Sequence, residues 1–215
     1  MSRKIQINGQ ILSCDDLVSQ LDKGNMPEWK SQIFQFIVEW FGDESNIRQY
    51  TSGSTGAPKE VKIPKSGMLA SAQNTLRFFK LQKNDTALLC LPVRYIAGKM
   101  MIVRAIVGHL NLLLSEPSGT PVIPKHSINF TAMVPMQVHS LLTAGYHFEN
   151  ISKVIIGGAA IHHHLAEKIQ HIKTEIYATY GMTETASHIA LQKLNGPNPD
   201  NSFHVLPGYS VSKNT

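Results

Sequence analysis

Between Tyr50 and Val61 the chain reads Tyr50-Thr51-Ser52-Gly53-Ser54-Thr55-Gly56-Ala57-Pro58-Lys59-Glu60-Val61. From Thr51 to Gly56 every residue is a hydroxyl residue or a glycine, and Lys59 follows three positions later. Glycines let a backbone turn tightly and approach a ligand closely. Successive N–H groups in such a turn form a concave anion site, to which Ser and Thr hydroxyls add donors and Lys59 a mobile positive charge. The chemistry on offer is a grip on phosphate. It is not the G-x-x-x-x-G-K-[ST] pattern, because Gly53 and Gly56 are three apart with Lys59 three further on. A flexible Ser/Gly linker is the alternative reading of the same composition.

A second polar cluster is Tyr177-Ala178-Thr179-Tyr180-Gly181-Met182-Thr183-Glu184-Thr185. Mg²⁺ takes hard oxygen ligands and only one or two carboxylates beside phosphates, which Glu184 could supply. The Thr183 hydroxyl next to it could donate to a phosphoryl oxygen. A helix start, with Thr183 as cap and Glu184 favouring the dipole, is the other reading. Gly157-Gly158-Ala159-Ala160 follows an apolar stretch and reads either as a tight turn or as a close approach to a ligand. His162-His163-His164 makes a poor metal site, since adjacent imidazoles diverge on a helix. No Ser-His-Asp or Cys-His constellation is readable.

The elements that must position these residues alternate. An Asn8-Gly9 turn predicts a hairpin over 4–12. Asp15 or Asp16 is expected to cap a short helix, and Trp29, Ile33, Phe36, Ile37 and Trp40 mark a second helix over 28–41 with both tryptophans in the core. Strands are expected at 47–51, 60–63, 85–91, 112–114, 130–134, 153–156 and 175–179. Helices are expected at 67–80 (Ser66 as N-cap, Leu69, Leu76 and Phe79 or their neighbours inside), 96–110, 135–142 and 162–172. Residues 181–191 read as a loop with a helical tendency. The strands are short continuous apolar runs, which predicts an α/β fold: a mostly parallel sheet with helices on both faces. Its site belongs beyond the carboxyl ends of the strands, where segments 51–59, 157–160 and 181–185 would meet.

The 215 residues carry a net charge of +5 and are 42% hydrophobic, enough for a good core and suited to an anionic ligand. Basic residues are scattered, which argues against nucleic acid as a partner. Two distant cysteines, Cys14 and Cys90, fit no metal or redox spacing and suit a reducing, cytoplasmic setting. No apolar run reaches membrane-spanning length, and integral membrane association is not expected.

These segments together resemble the adenylate-forming (AMP-binding, acyl-CoA synthetase) superfamily. Residues 51–59 match its signature loop, Gly157-Gly158-Ala159 its G-G-A segment, and Tyr180-Gly181-Met182-Thr183-Glu184 its Y-G-x-T-E motif. The resemblance implies that Thr51, Ser52, Gly53, Ser54, Thr55, Gly56 and Lys59 hold ATP phosphates. It implies further that Gly157, Gly158, Ala159, Tyr180 and Gly181 hold adenine, that Thr183 bonds the α-phosphate and that Glu184 holds Mg²⁺. Leu91-Pro92-Val93-Arg94-Tyr95-Ile96-Ala97-Gly98 resembles L-P-x-x-H-x-x-G beside the acyl pocket, with Tyr95 in place of histidine. Ala132–Leu142 resembles the family's V-P-T-Q…L-L stretch.

The resemblance covers roughly residues 45–212 and is greatest to the compact o-succinylbenzoate–CoA ligases of menaquinone synthesis. It implies ATP and coenzyme A as co-substrates of a carboxylic acid, with Arg94, Tyr95, Ser187 and His188 as candidates for contact with the acid. Other aryl or fatty acid–CoA ligases, amino-acid adenylation domains and a non-catalytic nucleotide-binding module are the alternatives. The family's T-G-D segment and C-terminal lysine are not found in these residues. The expected organisation is a hairpin and helices over 1–45, an AMP-binding lobe over 46–191 and the approach to a next subdomain over 192–215. On that organisation the chain alone is expected to have little activity.

Overall fold

The computed structural model of the chain describes residues 3–51 and 59–212. Strands β1 (Lys4–Ile7) and β2 (Gln10–Ser13) form the hairpin, with Asn8 and Gly9 both at positive φ, +48° and +84°. That is what a two-residue turn matching the strand twist demands. Ser13 caps α1 (Cys14–Asp22): its Oγ accepts from Asp16 N at 3.2 Å, and the Asp16 carboxylate accepts from Ser13 N at 2.8 Å. The aspartates expected as caps therefore lie inside the helix, because a serine three residues ahead of Asp16 completes a capping box.

Helix α2 (Glu28–Phe41) buries Ile33, Phe36, Ile37 and Trp40, while Trp29 is half-buried at its edge. Strands β3 (Asn46–Thr51) and β4 (Lys59–Pro64) pair antiparallel as a separate two-stranded sheet. The expected phosphate loop between them falls on residues 52–58, outside the described residues. Helix α3 (Lys65–Phe78) starts directly after Pro64, whose φ of −61° and ψ of 131° are extended, so Ser66 lies within the first turn and caps nothing. Lys65 instead reaches across to cap α2, donating to Glu39 O and Gly42 O at 2.9 and 2.8 Å. The apolar stripe of α3 runs through Met68, Ala72, Thr75 and Leu76, one position off the expected Leu69.

The main sheet is built from β5 (Thr86–Leu89), β6 (Asn111–Leu114), β7 (Ile128–Met133), β8 (Ile151–Ile156), β9 (Glu175–Gly181), β10 (His188–Lys193), β11 (His204–Val205) and the hairpin. Among the described residues its order is β11-β10-β9-β8-β7-β5-β6-β1-β2. The run from β9 to β1 is parallel, with antiparallel strands at both edges. Helices α4 (Ile96–Gly108), α5 (Pro135–Thr143) and α6 (His163–Ile169) supply the crossovers.

Alternate strand residues feed two cores. Ala87 and Leu89 of β5, with Phe130 and Ala132 of β7, join the core shared with α1 to α4. Leu88, Cys90, Met133 and Val154 join the core under α5 and α6. Helices on both faces make the strands apolar throughout, as the sequence indicates. Burial pushes the Cys90 thiol up to about 12, so it stays protonated packing material.

Residues 188–193, expected in a loop, form β10 alongside β9, with a bulge between His188 and Ala190. The turn-back depends on Gly181, where a Cβ would lie 2.3 Å from Ser187 O and 2.5 Å from His188 Cα. After β10, Asn195 is buried and closes the far end of the sheet. Its Nδ2 donates to Ile169 O, Ile172 O and Thr174 O at 3.2, 2.9 and 2.9 Å, and its Oδ1 accepts from Ile176 N at 2.9 Å. Asn195→Ala strands these buried groups and should lower unfolding stability by about 3 kcal/mol. Urea titration checks this, and a change under about 1 kcal/mol would show that the carbonyls find other partners.

Candidate active site

The C-terminal ends of β5, β7, β8 and β9 open onto a cavity of about 230 Å³. One wall is Leu91 after β5, with Ile96, Ala97 and Arg104 from α4. The second is Ala132 to Val134, and the third is Gly157 and Gly158 after β8. Thr179, Gly181, Met182, Thr183, Ser187 and His188 close the fourth. A larger depression, about 880 Å³, lies at the opposite ends of β8 and β9 around His147, Lys168 and His171. The smaller cavity is the candidate site, because in parallel sheets ligands bind at the carboxyl ends of the strands, where converging loops supply polar groups.

The walls are held close by glycines and by one glutamine. A Cβ on Gly157 would sit 2.2 Å from Thr179 Oγ1, whose hydroxyl donates to Ile156 O at 3.1 Å. Gly158 has φ +84°. At Gly98 a Cβ would meet Pro92 O at 2.4 Å, so α4 can only pack under residues 91–95 without a side chain there. Buried Gln137 ties three segments together: its Nε2 donates to Cys90 O and Ser118 O at 3.0 and 2.9 Å, and its Oε1 accepts from Val134 N at 3.2 Å.

Of the residues singled out in the sequence, Gly157, Gly158, Gly181, Thr183, Ser187 and His188 line this cavity. Ala159 is exposed outside the lining, and Tyr180 is 54% exposed with its ring 5.9 Å from that of Phe203. Thr183 and Glu184 lie in a 3₁₀ turn, Thr183–Thr185, against which β4 packs. The Glu184 carboxylate is exposed and takes no partner among the described residues. Thr51 ends β3 and Lys59 starts β4. Ala186, next to the turn, is buried with φ +62° and ψ −26°, backbone strain of the kind that concentrates at functional sites.

Arg94 and Tyr95 are not among the cavity-lining residues. Both are exposed, with the Arg94 guanidinium 4.9 Å from the Tyr95 ring centroid. The cation in the wall is Arg104, 1% exposed. Its Nε donates to Thr75 Oγ1 at 3.2 Å, its Nη2 to Ser187 Oγ at 2.8 Å, and its Nη1 meets only the Met101 thioether at 3.8 Å. Among the described residues it has no carboxylate partner. Burial pulls its pKa down to about 9. The signal for it was in the sequence: Arg104 is the single charge within Met100–Val107, an otherwise apolar stretch.

His188 is 4% exposed, with Nδ1 3.4 Å from both Arg104 Nη2 and Ser187 Oγ and Nε2 3.2 Å from Thr75 Oγ1. Burial first, and the Arg104 charge second, hold its pKa well below 6.5. Ser187 and His188 do not make a nucleophile–base pair. The imidazole has no orienting carboxylate among the described residues, and the Ser187 oxygen is occupied by the guanidinium.

Residues 25–212 match the family described as AMP-binding enzyme. The chain belongs to that family. Among curated AMP-binding relatives, the 2-succinylbenzoate–CoA ligase of Staphylococcus epidermidis is 29% identical over 79% of this chain and 35% of its own length. That of Bacillus mycoides is 28% identical over 72% and 34%. The chain thus spans about a third of the length of the curated relatives it matches. Among solved AMP-binding structures, an acyl-CoA synthetase (AMP-forming)/AMP-acid ligase II-like protein from Dyadobacter fermentans superposes with TM-score 0.80 at 37% identity, covering 90% of this chain and 58% of that one. A variant of E. coli MenE with bound OSB-AMS gives TM-score 0.60 at 26% identity, over 75% and 35%.

The neutral state of His188 makes an acid-labile point in this AMP-binding lobe. With a folded pKa below 6.5, the unfolded chain binds more protons than the folded one at pH under 6.5. Stability is therefore complete above that pH and is lost as pH falls below it. His188→Gln should flatten this acid limb, measured as Tm between pH 7 and 5. An unchanged limb would assign the acid sensitivity to other groups.

Proposed function

We propose that this chain is the ATP- and acid-binding lobe of an acid–CoA ligase whose acid carries a second carboxylate, o-succinylbenzoate being the acid the relatives' names support. In the reaction, the substrate carboxylate attacks the α-phosphorus of ATP, giving the acyl-adenylate and pyrophosphate. The thiolate of coenzyme A then displaces AMP. No protein nucleophile is required, so positioning and charge stabilisation carry the rate.

Segment 51–59 is assigned the β- and γ-phosphates. Thr183 is assigned the α-phosphate, and Tyr180 with Gly157, Gly158 and Ala159 the adenine. The exposed Glu184 carboxylate beside the Thr183 hydroxyl is a hard-oxygen donor set that fits Mg²⁺, which when bound neutralises phosphate charge. The acid's second carboxylate is assigned to Arg104 with Ser187, in place of the exposed Arg94. A cytoplasmic setting, where ATP and coenzyme A are available, goes with this reading.

The observation that carries the proposal is Arg104. A guanidinium buried without a carboxylate is costly, and a dianionic acid supplies the missing counter-charge. The alternatives do not use it. A fatty or simple aryl acid spends its one carboxylate at the α-phosphorus. An amino acid would bring an ammonium towards an existing cation. A module that only binds nucleotide has no need of a cation in that wall.

Two outcomes follow for Arg104→Met, a swap of similar length without charge. The unliganded variant should melt no lower than the parent, since removing an unpaired buried charge relieves desolvation. Its affinity for o-succinylbenzoate should fall by roughly thirtyfold or more, read by calorimetry. Equal affinity in parent and variant would remove Arg104, and with it the dicarboxylate assignment.

A further inference from the structure

The cluster around Arg104 contains a residue with no motif behind it: Thr75, fully buried on α3. Its single hydroxyl oxygen lies within hydrogen-bond distance of three groups: Ser71 O at 3.0 Å, Arg104 Nε at 3.2 Å and His188 Nε2 at 3.2 Å. A hydroxyl has one proton to give and two lone pairs to receive with. The distribution of protons follows by elimination. Arginine has no acceptor, so both Nε and Nη2 of Arg104 can only donate. Nη2 faces His188 Nδ1 at 3.4 Å, and a proton on Nδ1 would set donor against donor. Nδ1 is therefore the acceptor of the neutral ring, and the ring proton is on Nε2. That proton points at Thr75 Oγ1, which must accept it together with the Arg104 Nε proton. Both lone pairs are then used, and the hydroxyl proton goes to Ser71 O, which can only accept.

We propose that Thr75 is the positioning residue of the acid pocket, holding His188 as the Nε2–H tautomer and fixing the Arg104 guanidinium so that its charge, with the Ser187 hydroxyl, is held in the cavity wall for a carboxylate. The division of labour is geometric. Thr75 takes the inner N–H of the guanidinium, the one at the root of its fork. Nδ1 and Ser187 Oγ both accept from the outer nitrogen, which leaves the Ser187 hydroxyl proton to donate to an incoming anion. With the hydroxyl removed, Nε–H loses its acceptor inside the core and the imidazole loses the partner that selects its tautomer.

The tautomer assignment stands on these contacts alone; the ligand consequence rests on the acid-ligase reading above. Two-bond ¹H–¹⁵N correlation spectra of the labelled 215-residue chain read the tautomer directly, with the His188 signal identified by its loss in His188→Gln. The expected parent pattern is a protonated Nε2 and a bare Nδ1, and a protonated Nδ1 in the parent overturns the proposal before any change at Thr75. Thr75→Val, nearly equal in volume, should give mixed tautomers, and Thr75→Ser should restore the parent pattern. By calorimetry, the preference for o-succinylbenzoate over benzoate should fall by roughly tenfold or more in Thr75→Val and return in Thr75→Ser. A folded valine variant with unchanged tautomer and unchanged preference makes Thr75 a packing residue only. A valine variant that does not fold leaves the decision to the parent spectrum, with retained preference in the serine variant as support. If the parent shows the Nε2–H ring, dependent on Thr75, yet binds neither acid, the ligand reading fails and the positioning role stands.

Discussion

One charge without a counter-charge organises the functional end of this molecule. Arg104 leaves the middle of α4, enters the wall of the cavity and meets, among the described residues, only neutral groups, chiefly Thr75 of α3, Ser187 before β10 and His188 at its start. Three elements remote in sequence are thereby locked to one side chain. A carboxylate there would add attraction together with a second buried charge to desolvate, so it brings the free protein little net stability. It would also occupy the position a ligand anion needs. The neutral set leaves the field of the guanidinium open towards the cavity, and burial keeps that field undamped by water.

His188 completes the same logic. A protonated imidazole 3.4 Å from a guanidinium would place two cations together in the core, and both burial and Arg104 push it towards the neutral form. As a neutral ring it is an acceptor on one side and a donor on the other, the only arrangement that serves both Arg104 and Thr75. Mutual satisfaction of this kind makes the group rigid before a ligand arrives. Little rotamer freedom remains to be lost on binding, so more of the electrostatic gain appears as affinity.

The backbone meets a different constraint at the strand ends, where space is the issue. Gly98, Gly157 and Gly181 each stand where a Cβ would come within 2.4 Å of a neighbouring oxygen. This is why glycine-rich segments after strands were readable as the walls of a candidate site, while the α/β architecture was readable from short apolar runs. The misplaced features have physical reasons. β10 was read as a loop because its residues include a polar approach and a bulge, and its stability comes from closing the edge of β9, a tertiary fact. Helix starts were displaced by two or three residues because Ser13 and Pro64 outcompeted the expected caps. Arg94 stood inside a recognisable motif and drew attention, yet local sequence cannot say which way a side chain faces. Arg104 was visible as a lone charge in an apolar helix. Thr75 was not visible at all, since a threonine in a helix has many uses and only the fold brings Arg104 and His188 to it.

The strained turn beside this group shows how the two halves of the site are joined. Ala186 sits at φ +62° between the turn that carries Thr183 and Glu184 and the pair Ser187 and His188. Thr185 pins that conformation: its Oγ1 accepts from Met182 N at 3.0 Å and donates to Ser187 O at 2.6 Å. Thr183 and Glu184 on one side and Ser187 and His188 on the other are therefore separated by a single rigid reversal, without a flexible linker. In an in-line displacement the attacking carboxylate and the α-phosphorus must approach within a few tenths of an ångström of one geometry. On the proposed assignments, Thr183 for the α-phosphate and Ser187 for the acid's second carboxylate sit at the two ends of one pinned turn, with Gly181 and β9 behind it, which fixes where the acid is held relative to the phosphorus. On the proposed assignments, the strain at Ala186 is the local cost of a fixed distance between the α-phosphate and the acid's second carboxylate.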